Sequence, residues 1–135
     1  MAAPLLQHIN VKFKNLKISI ITATLNNSST IECCVNSLLA QTHKDIEHII
    51  IDGGSSDGTQ SFLGEYSKSH DNVVYTSEKD SGIYHALNKG LAMATGDVIG
   101  FLHADDLLAS DTILQQIMNQ FQKNNAQGVY GDVQY

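Results

Sequence analysis

Only two cysteines occur in the 135 residues, and they are neighbours, Cys33 and Cys34. Adjacent thiols inside a helical pattern make neither a disulfide framework nor a spaced metal site. They read as small buried residues in a reducing compartment. Positive charge is also scarce. Eight basic residues stand against fourteen acidic ones, for a formal net charge of −6. That balance excludes a broad basic footprint for nucleic acid. It also constrains phosphate binding, which must rely on backbone N–H groups, a few placed cations or a metal. No run approaches the roughly 18 consecutive apolar residues of a membrane-spanning helix. The N-terminus lacks the basic start and long apolar core of a signal peptide, so residues 1–16 read as a leader of mixed character. Two nucleotide signatures are missing too. There is no G-x-x-x-x-G-K-S/T and no G-x-G-x-x-G after the first strand. P-loop enzymes are thereby excluded, and dinucleotide dehydrogenases are disfavoured.

What is present is the composition of one globular domain, 42% hydrophobic and 16% charged. Apolar runs alternate with helical spacing along the chain. Strands are expected at 18–22, 46–51, 73–76, 98–102 and 128–133. Helices are expected at 29–41, 59–68 and 82–94, with a last one capped by Ser110 or Asp111. Ser29 and Glu32 have the spacing of a capping box. Ile83, Leu87, Leu91 and Ala94 form one stripe, and Gly96 stands where a helix would end. In the last helix Ile113, Leu114, Ile117, Met118 and Phe121 are the expected buried face. Alternation with short connections argues for an α/β fold, a mainly parallel sheet covered on both faces.

Ligands of such sheets bind beyond the carboxyl ends of the strands. Polar residues gather at all four ends, and Asp105-Asp106 is the sharpest case. Adjacent carboxylates repel unless a cation sits with them, and hard divalent ions take carboxylate oxygens. The plainer alternative is a turn cap before Leu107. Asp52 can accept from a base or ribose, or can simply feed the turn at Gly53-Gly54. Asp80 precedes a helix start suited to an anion, or is its N-cap. Lys89 can reach a phosphate, or lie on a solvated helix face. His85 and His103 are weaker candidates for a metal, because no paired histidine spacing is present.

In order along the chain run SIITATLN (19–26), SLLAQT (37–42), IIDGGSSDGT (50–59), SEKDSGIY (77–84), ALNKG (86–90), ATGD (94–97) and FLHADD (101–106). This ordered series resembles the N-terminal part of inverting family 2 glycosyltransferases, of the bacterial surface-polysaccharide type. The resemblance implies a GT-A fold, a Rossmann-like three-layer α/β/α arrangement. It further implies that Ala23, Thr24 and Asn26 line the nucleotide site, with Asp52 near the base and Asp80 by the ribose or diphosphate. Asp105 and Asp106 match the segment that holds Mn²⁺ or Mg²⁺, and Asp105 also touches the donor. Two departures stand out. Many relatives have two acids where this chain has Asp52-Gly53, and many have Asp where it has His103.

The resemblance places the acceptor region and catalytic base beyond Tyr135, so residues 17–135 are expected to be the donor-binding half of a truncated domain. The implied reaction moves a sugar from a nucleoside-diphosphate sugar, a UDP-sugar foremost, to a saccharide or lipid-linked acceptor hydroxyl. The implied setting is the cytoplasm, at the inner face of the membrane if the acceptor is lipid-linked. Two alternatives remain. A sugar-nucleotide nucleotidyltransferase would want a glycine-rich basic loop after the first strand, where Ala23 to Asn27 offers none. A non-catalytic nucleotide-binding domain would lack a downstream base.

Overall fold

The structure, a computed structural model, describes residues 16–131. Apart from Leu16, the expected leader lies outside the described residues. Strands and helices alternate as β1 (Ile18–Thr24), α1 (Ile31–Leu39), β2 (Ile46–Asp52), α2 (Thr59–Ser69), β3 (Val73–Ser77), α3 (Ile83–Met93), β4 (Val98–Phe101) and α4 (Ile113–Asn124). The four strands are parallel, in the order β3-β2-β1-β4. Ile18 pairs with Ile46 on one side and Val98 on the other, so β1 is central. The fifth expected strand is not formed over residues 128–131; its remainder lies outside the described residues.

Alternation along each strand sorts the core into two sides. Ile18 and Ile20 face α1 and α4, packing on Cys34, Leu38, Leu114 and Met118. Ile50 faces α1 and α2, against Ile31, Val35, Leu63 and Tyr66. Ile21, Ala23, Ile49 and Ile51 face the opposite way and meet Ala86 of α3. Both faces of the central strands are covered, so Ile49, Ile50 and Ile51 can follow one another along β2, all fully buried.

α3 uses only part of its expected stripe, Leu87 and Ala94, which pack against the sheet. Ile83 and Leu91 are 49% and 44% exposed, while Ala86 and Gly90 are the buried residues. The cause is a close approach. A Cβ on Gly90 would lie 2.5 Å from Ile21 Cγ2, so the helix settles on its smallest residues. Gly96 also serves proximity and not helix termination. Its added Cβ would lie 2.6 Å from Ser19 Oγ and 2.9 Å from the Lys17 carbonyl oxygen. In α4, Leu114 and Met118 are buried, whereas Ile113, Ile117 and Phe121 are half-buried.

The expected caps are replaced by other groups. Thr30, not Ser29, begins α1 without a side-chain cap, and the Ser29–Glu32 box is not formed. The amides of Thr30 and Ile31 donate instead to the Asn27 carbonyl. α4 starts at Thr112, not after Ser110 or Asp111. Its Leu114 N–H donates to Oε1 of Gln41, a buried side chain whose Nε2 donates to the carbonyls of Ser37 and Ser110. Cys34 is buried as expected, but Cys33 is exposed, since it faces away from the sheet one position earlier on the helix.

Two polar networks lie within the sheet. Glu47 accepts from Ser19 Oγ at 2.6 Å, Thr95 N at 2.9 Å and Thr95 Oγ1 at 2.8 Å, and pairs with Lys17. Burial alone would raise its pKa, but these hydrogen bonds outweigh it and lower the value to about 2. His48 is fully buried between Thr22 Oγ1 at 2.9 Å and the Tyr66 hydroxyl at 3.1 Å. Burial brings its pKa down to about 3.

Gly90→Ala is expected to lower stability by about 1–3 kcal/mol through overpacking, despite its better helix propensity. A thermal melt followed by circular dichroism measures this; an unchanged midpoint would show that the helix can shift freely. Acid is expected to destabilise the fold through His48. The unfolded chain takes up this proton below pH 6.5, the folded chain only near pH 3, so stability is full above 6.5 and falls across that window. Urea unfolding from pH 7 to 4 should show that decline, and His48→Gln should flatten it.

Candidate functional site

The strand order turns at β1. β2 and β3 extend the sheet one way, β4 the other. At such a switch point the connections leave the sheet in opposite directions and open a crevice at the carboxyl ends. A cavity of about 550 Å³ lies there. Ala23 and Thr24 line it from β1, Leu25 and Asn27 from the loop that follows, Gly53 and Asp80 from the loops after β2 and β3, and His103 to Asp106 from the loop after β4.

The first wall is held by Asp52. This carboxylate is fully buried and accepts from Gly54 N at 3.3 Å, Ser55 N at 3.0 Å, Ser55 Oγ and Ser77 Oγ. Ser55 Oγ in turn accepts from Asn26 N at 2.8 Å, and Asn26 Oδ1 accepts from Ser56 N at 2.8 Å. Asn26 has φ 54°, a left-handed turn that asparagine tolerates. Asp57 adds a second tie, accepting from Ser28 N, Thr59 N and Thr59 Oγ1. The hydrogen bond from the Thr59 hydroxyl, followed by those from Ser28 and Thr59 N–H, lowers its pKa. The loops after β1 and β2 thus form one hydrogen-bonded unit.

Gly53 shapes the floor. A Cβ there would lie 3.3 Å from Asp80 Oδ2, so the missing side chain leaves the Asp80 carboxylate its place. Asp80 does not cap α3. Gly82 occupies that position, and Asp80 Oδ1 accepts its N–H at 3.0 Å across a tight turn.

The opposite wall follows β4. Leu102 N donates to the Ile21 carbonyl, carrying the ladder one residue past the strand. Ala104 is buried in the core beneath α1 and α2. The His103 carbonyl accepts from Asp106 N at 3.0 Å and from Cys34 Sγ at 3.4 Å. The backbone therefore makes the turn, and the Asp105 and Asp106 carboxylates, both exposed, have no hydrogen-bond or ion-pair partner among the described residues. Their charge is felt at Cys34, whose thiol is raised to about 12 by burial, then by Asp106 and Asp105. Among the described residues no group of three or more His, Cys, Asp or Glu is gathered to hold a metal.

Of the expected site residues, Ala23, Thr24, Asp80, Asp105 and Asp106 line the cavity together, and so does His103. Asn26 and Asp52 stand behind the wall as its frame. Lys89 lies outside the lining, with its ammonium on Glu78. His85 accepts from Ser81 N through Nδ1. The frame residues Ser55, Asp57 and Thr59 escaped the sequence reading. Their signals were a turn-rich run and the motif at residues 50–59, neither of which says which loop they will bind.

Residues 19–135 match the model of Glycosyl transferase family 2. The chain belongs to that family. Among its relatives, an uncharacterized glycosyltransferase of Nostoc sp. is 36% identical over 115 residues, which is 84% of this chain and 35% of that protein. A PGL/p-HBAD biosynthesis glycosyltransferase of Mycobacterium bovis is 34% identical over 117 residues, 85% of this chain and 46% of that one. The chain thus spans a third to a half of these relatives. The GT-A fold is shared with solved glycosyltransferases. The S. aureus TarS 1-349 complex with UDP-GlcNAc superposes with TM-score 0.74 and 23% identity, over 82% of this chain and 32% of that one. A Pyrobaculum calidifontis mannosyltransferase in complex with GDP-Man and Mn²⁺ gives 0.69 and 24%, over 90% and 39%.

Asp52→Asn turns one acceptor oxygen of this family 2 chain into an N–H donor facing other donors. A loss of about 2–3 kcal/mol is expected in urea unfolding at pH 7. Faster amide exchange at Asn26 and Ser55 should accompany it; unchanged exchange would mean the loops hold together without Asp52.

Proposed function

We propose that this chain is the donor-binding part of an inverting hexosyltransferase that uses a nucleoside-diphosphate sugar, a UDP-sugar foremost. The observation that carries the reading is the Asp105–Asp106 pair, which lines the switch-point crevice without a partner among the described residues. Two such carboxylates repel each other and would repel a diphosphate, so a ligand of that kind needs a cation between them. Among the described residues no lysine lines the cavity to supply it. All-oxygen donors suit Mn²⁺ or Mg²⁺, which fill their remaining positions with water and substrate phosphates and not with a dedicated protein cage. That fits a site with two carboxylates and no larger cluster among the described residues.

Asp105 and Asp106 would hold the metal, with Asp105 also facing the donor. When bound, the metal would neutralise the departing diphosphate and act as a Lewis acid. The chain's own residues do the positioning. Ala23 and Thr24 offer a wall to the nucleoside, and Asn26 keeps that wall in place. Asp80 accepts from the ribose hydroxyls. Asp52, with its oxygens occupied, serves the base by fixing Gly54 and Ser55 behind it. Lys89 reaches a phosphate only by leaving Glu78. The base that deprotonates the acceptor hydroxyl belongs, on this reading, to the part of the relatives that the match does not reach.

The setting we assign is cell-surface polysaccharide or glycolipid assembly, with a saccharide or lipid-linked acceptor at the cytoplasmic face of the membrane. The relative named for PGL/p-HBAD biosynthesis supports it. No helix among the described residues is long and apolar enough to cross a membrane.

Calorimetric titration with UDP and GDP, with and without Mn²⁺, tests the assignment. Metal-dependent binding of one nucleotide is expected, lost by at least tenfold when Asp105 and Asp106 are both changed to Ala. Metal-independent binding, or none by either nucleotide, would remove the donor-site reading.

A further inference from the structure

We propose that His103 grips the donor's diphosphate directly, as the protein's own N–H donor beside the metal-holding pair. The inference rests on the donor-site reading above. Its starting point is a contrast among histidines. The rings of His43, His48, His70 and His85 each have a hydrogen-bond partner within the chain. The His103 ring has none among the described residues, yet it is half-buried and lines the cavity.

The ring is presented from a rigid segment. Leu102 and Ala104 on either side are buried at 7% and 3% exposure. The His103 carbonyl is held by both Asp106 N and Cys34 Sγ. The backbone is thus pinned on three sides while the ring is left with its nitrogens unspent. A half-buried imidazole in that state is free to donate to a ligand in the cavity.

The partner's chemistry follows from the lining. Three carboxylates, Asp80, Asp105 and Asp106, face the cavity, and among the described residues no lysine or arginine lines it, while the His103 ring has an N–H to donate. An anion entering here needs a donor that the carboxylates cannot supply. Its place in the crevice follows from the strand order. Gly53 and Asp80 lie on the β2–β3 side, His103 on the β4 side with Asp105 and Asp106. A ligand spanning the crevice with its nucleoside toward Gly53 brings its diphosphate to the β4 side. There an imidazole N–H donates to a phosphoryl oxygen, a bond worth more than one between neutral groups. The absence of a three-residue ligand cluster among the described residues favours this role over a third metal ligand.

The test is calorimetry with Mn²⁺ present, titrating UDP, GDP, uridine and guanosine into the chain and into His103→Ala and His103→Gln. Far-ultraviolet circular dichroism checks that each variant is folded. His103→Ala should weaken the diphosphate by roughly 10–100-fold and leave the nucleoside unchanged. His103→Gln, which keeps an N–H donor, should recover part of the loss. Mn²⁺ affinity without nucleotide, read by electron paramagnetic resonance, should be the same in all three. A wild-type chain that binds diphosphate as tightly as His103→Ala overturns the His103 assignment alone. So does a fall in Mn²⁺ affinity, which would make His103 a metal ligand. A wild-type chain that binds neither diphosphate with Mn²⁺ overturns the donor-site reading beneath it.

Discussion

One buried carboxylate ties together the carboxyl ends of three strands. Asp52 ends β2, pairs in register with Thr24 of β1 and Ser77 of β3, and takes hydrogen bonds from Ser55 and Ser77. No ion pair balances it among the described residues. The charge is tolerated because hydroxyl and amide donors surround it, as a buried carboxylate requires. Everything on the near wall of the crevice depends on this arrangement. Ser55 passes the constraint to Asn26, and Asn26 to the loop that carries Thr24 and Leu25 into the cavity. Asp52, expected near the base, thus has its oxygens engaged by the chain's own donors.

The far wall follows a different logic. Its loop is fixed by backbone hydrogen bonds and by the burial of Ala104, and the side chains of His103, Asp105 and Asp106 have no partner among the described residues. On the proposed reading that leaves them for a ligand. Burial, and then the charges of Asp106 and Asp105, raise the Cys34 thiol in the core. The two walls divide the work: one is spent on its own rigidity, the other keeps its polar groups for what enters.

α3 shows how a face can be misread when only side-chain size and period are considered. Its large residues mark a stripe, yet the sheet accepts Ala86 and Gly90, because close approach is worth more to the packing than a larger side chain. Ile83 is left to line the cavity, and Leu91 to the surface. The same principle governs Gly96 and Gly53. Each glycine is placed by a neighbour that needs the room, Ser19 in one case and Asp80 in the other.

The sequence by itself determined the alternation of strands and helices, the parallel sheet and the strand ends where the chemistry gathers. Period and apolar runs are local signals, and they survive folding because the core is built from them. Its ordered motifs also pointed to the family. Only the tertiary structure decided which polar residues are free. Asp52, Asn26 and Lys89 were indistinguishable in sequence from Asp80 and Asp105, since a carboxylate or amide at a strand end reads the same whether its partner is a ligand or another loop. Those partners lie up to some 30 residues away along the chain, as Ser55 does from Asn26 and Asp57 from Ser28. Pairing across such a distance is set by strand order and register. For the same reason His103, one weak candidate among several histidines, stood apart only when the fold showed that the other described rings were already engaged.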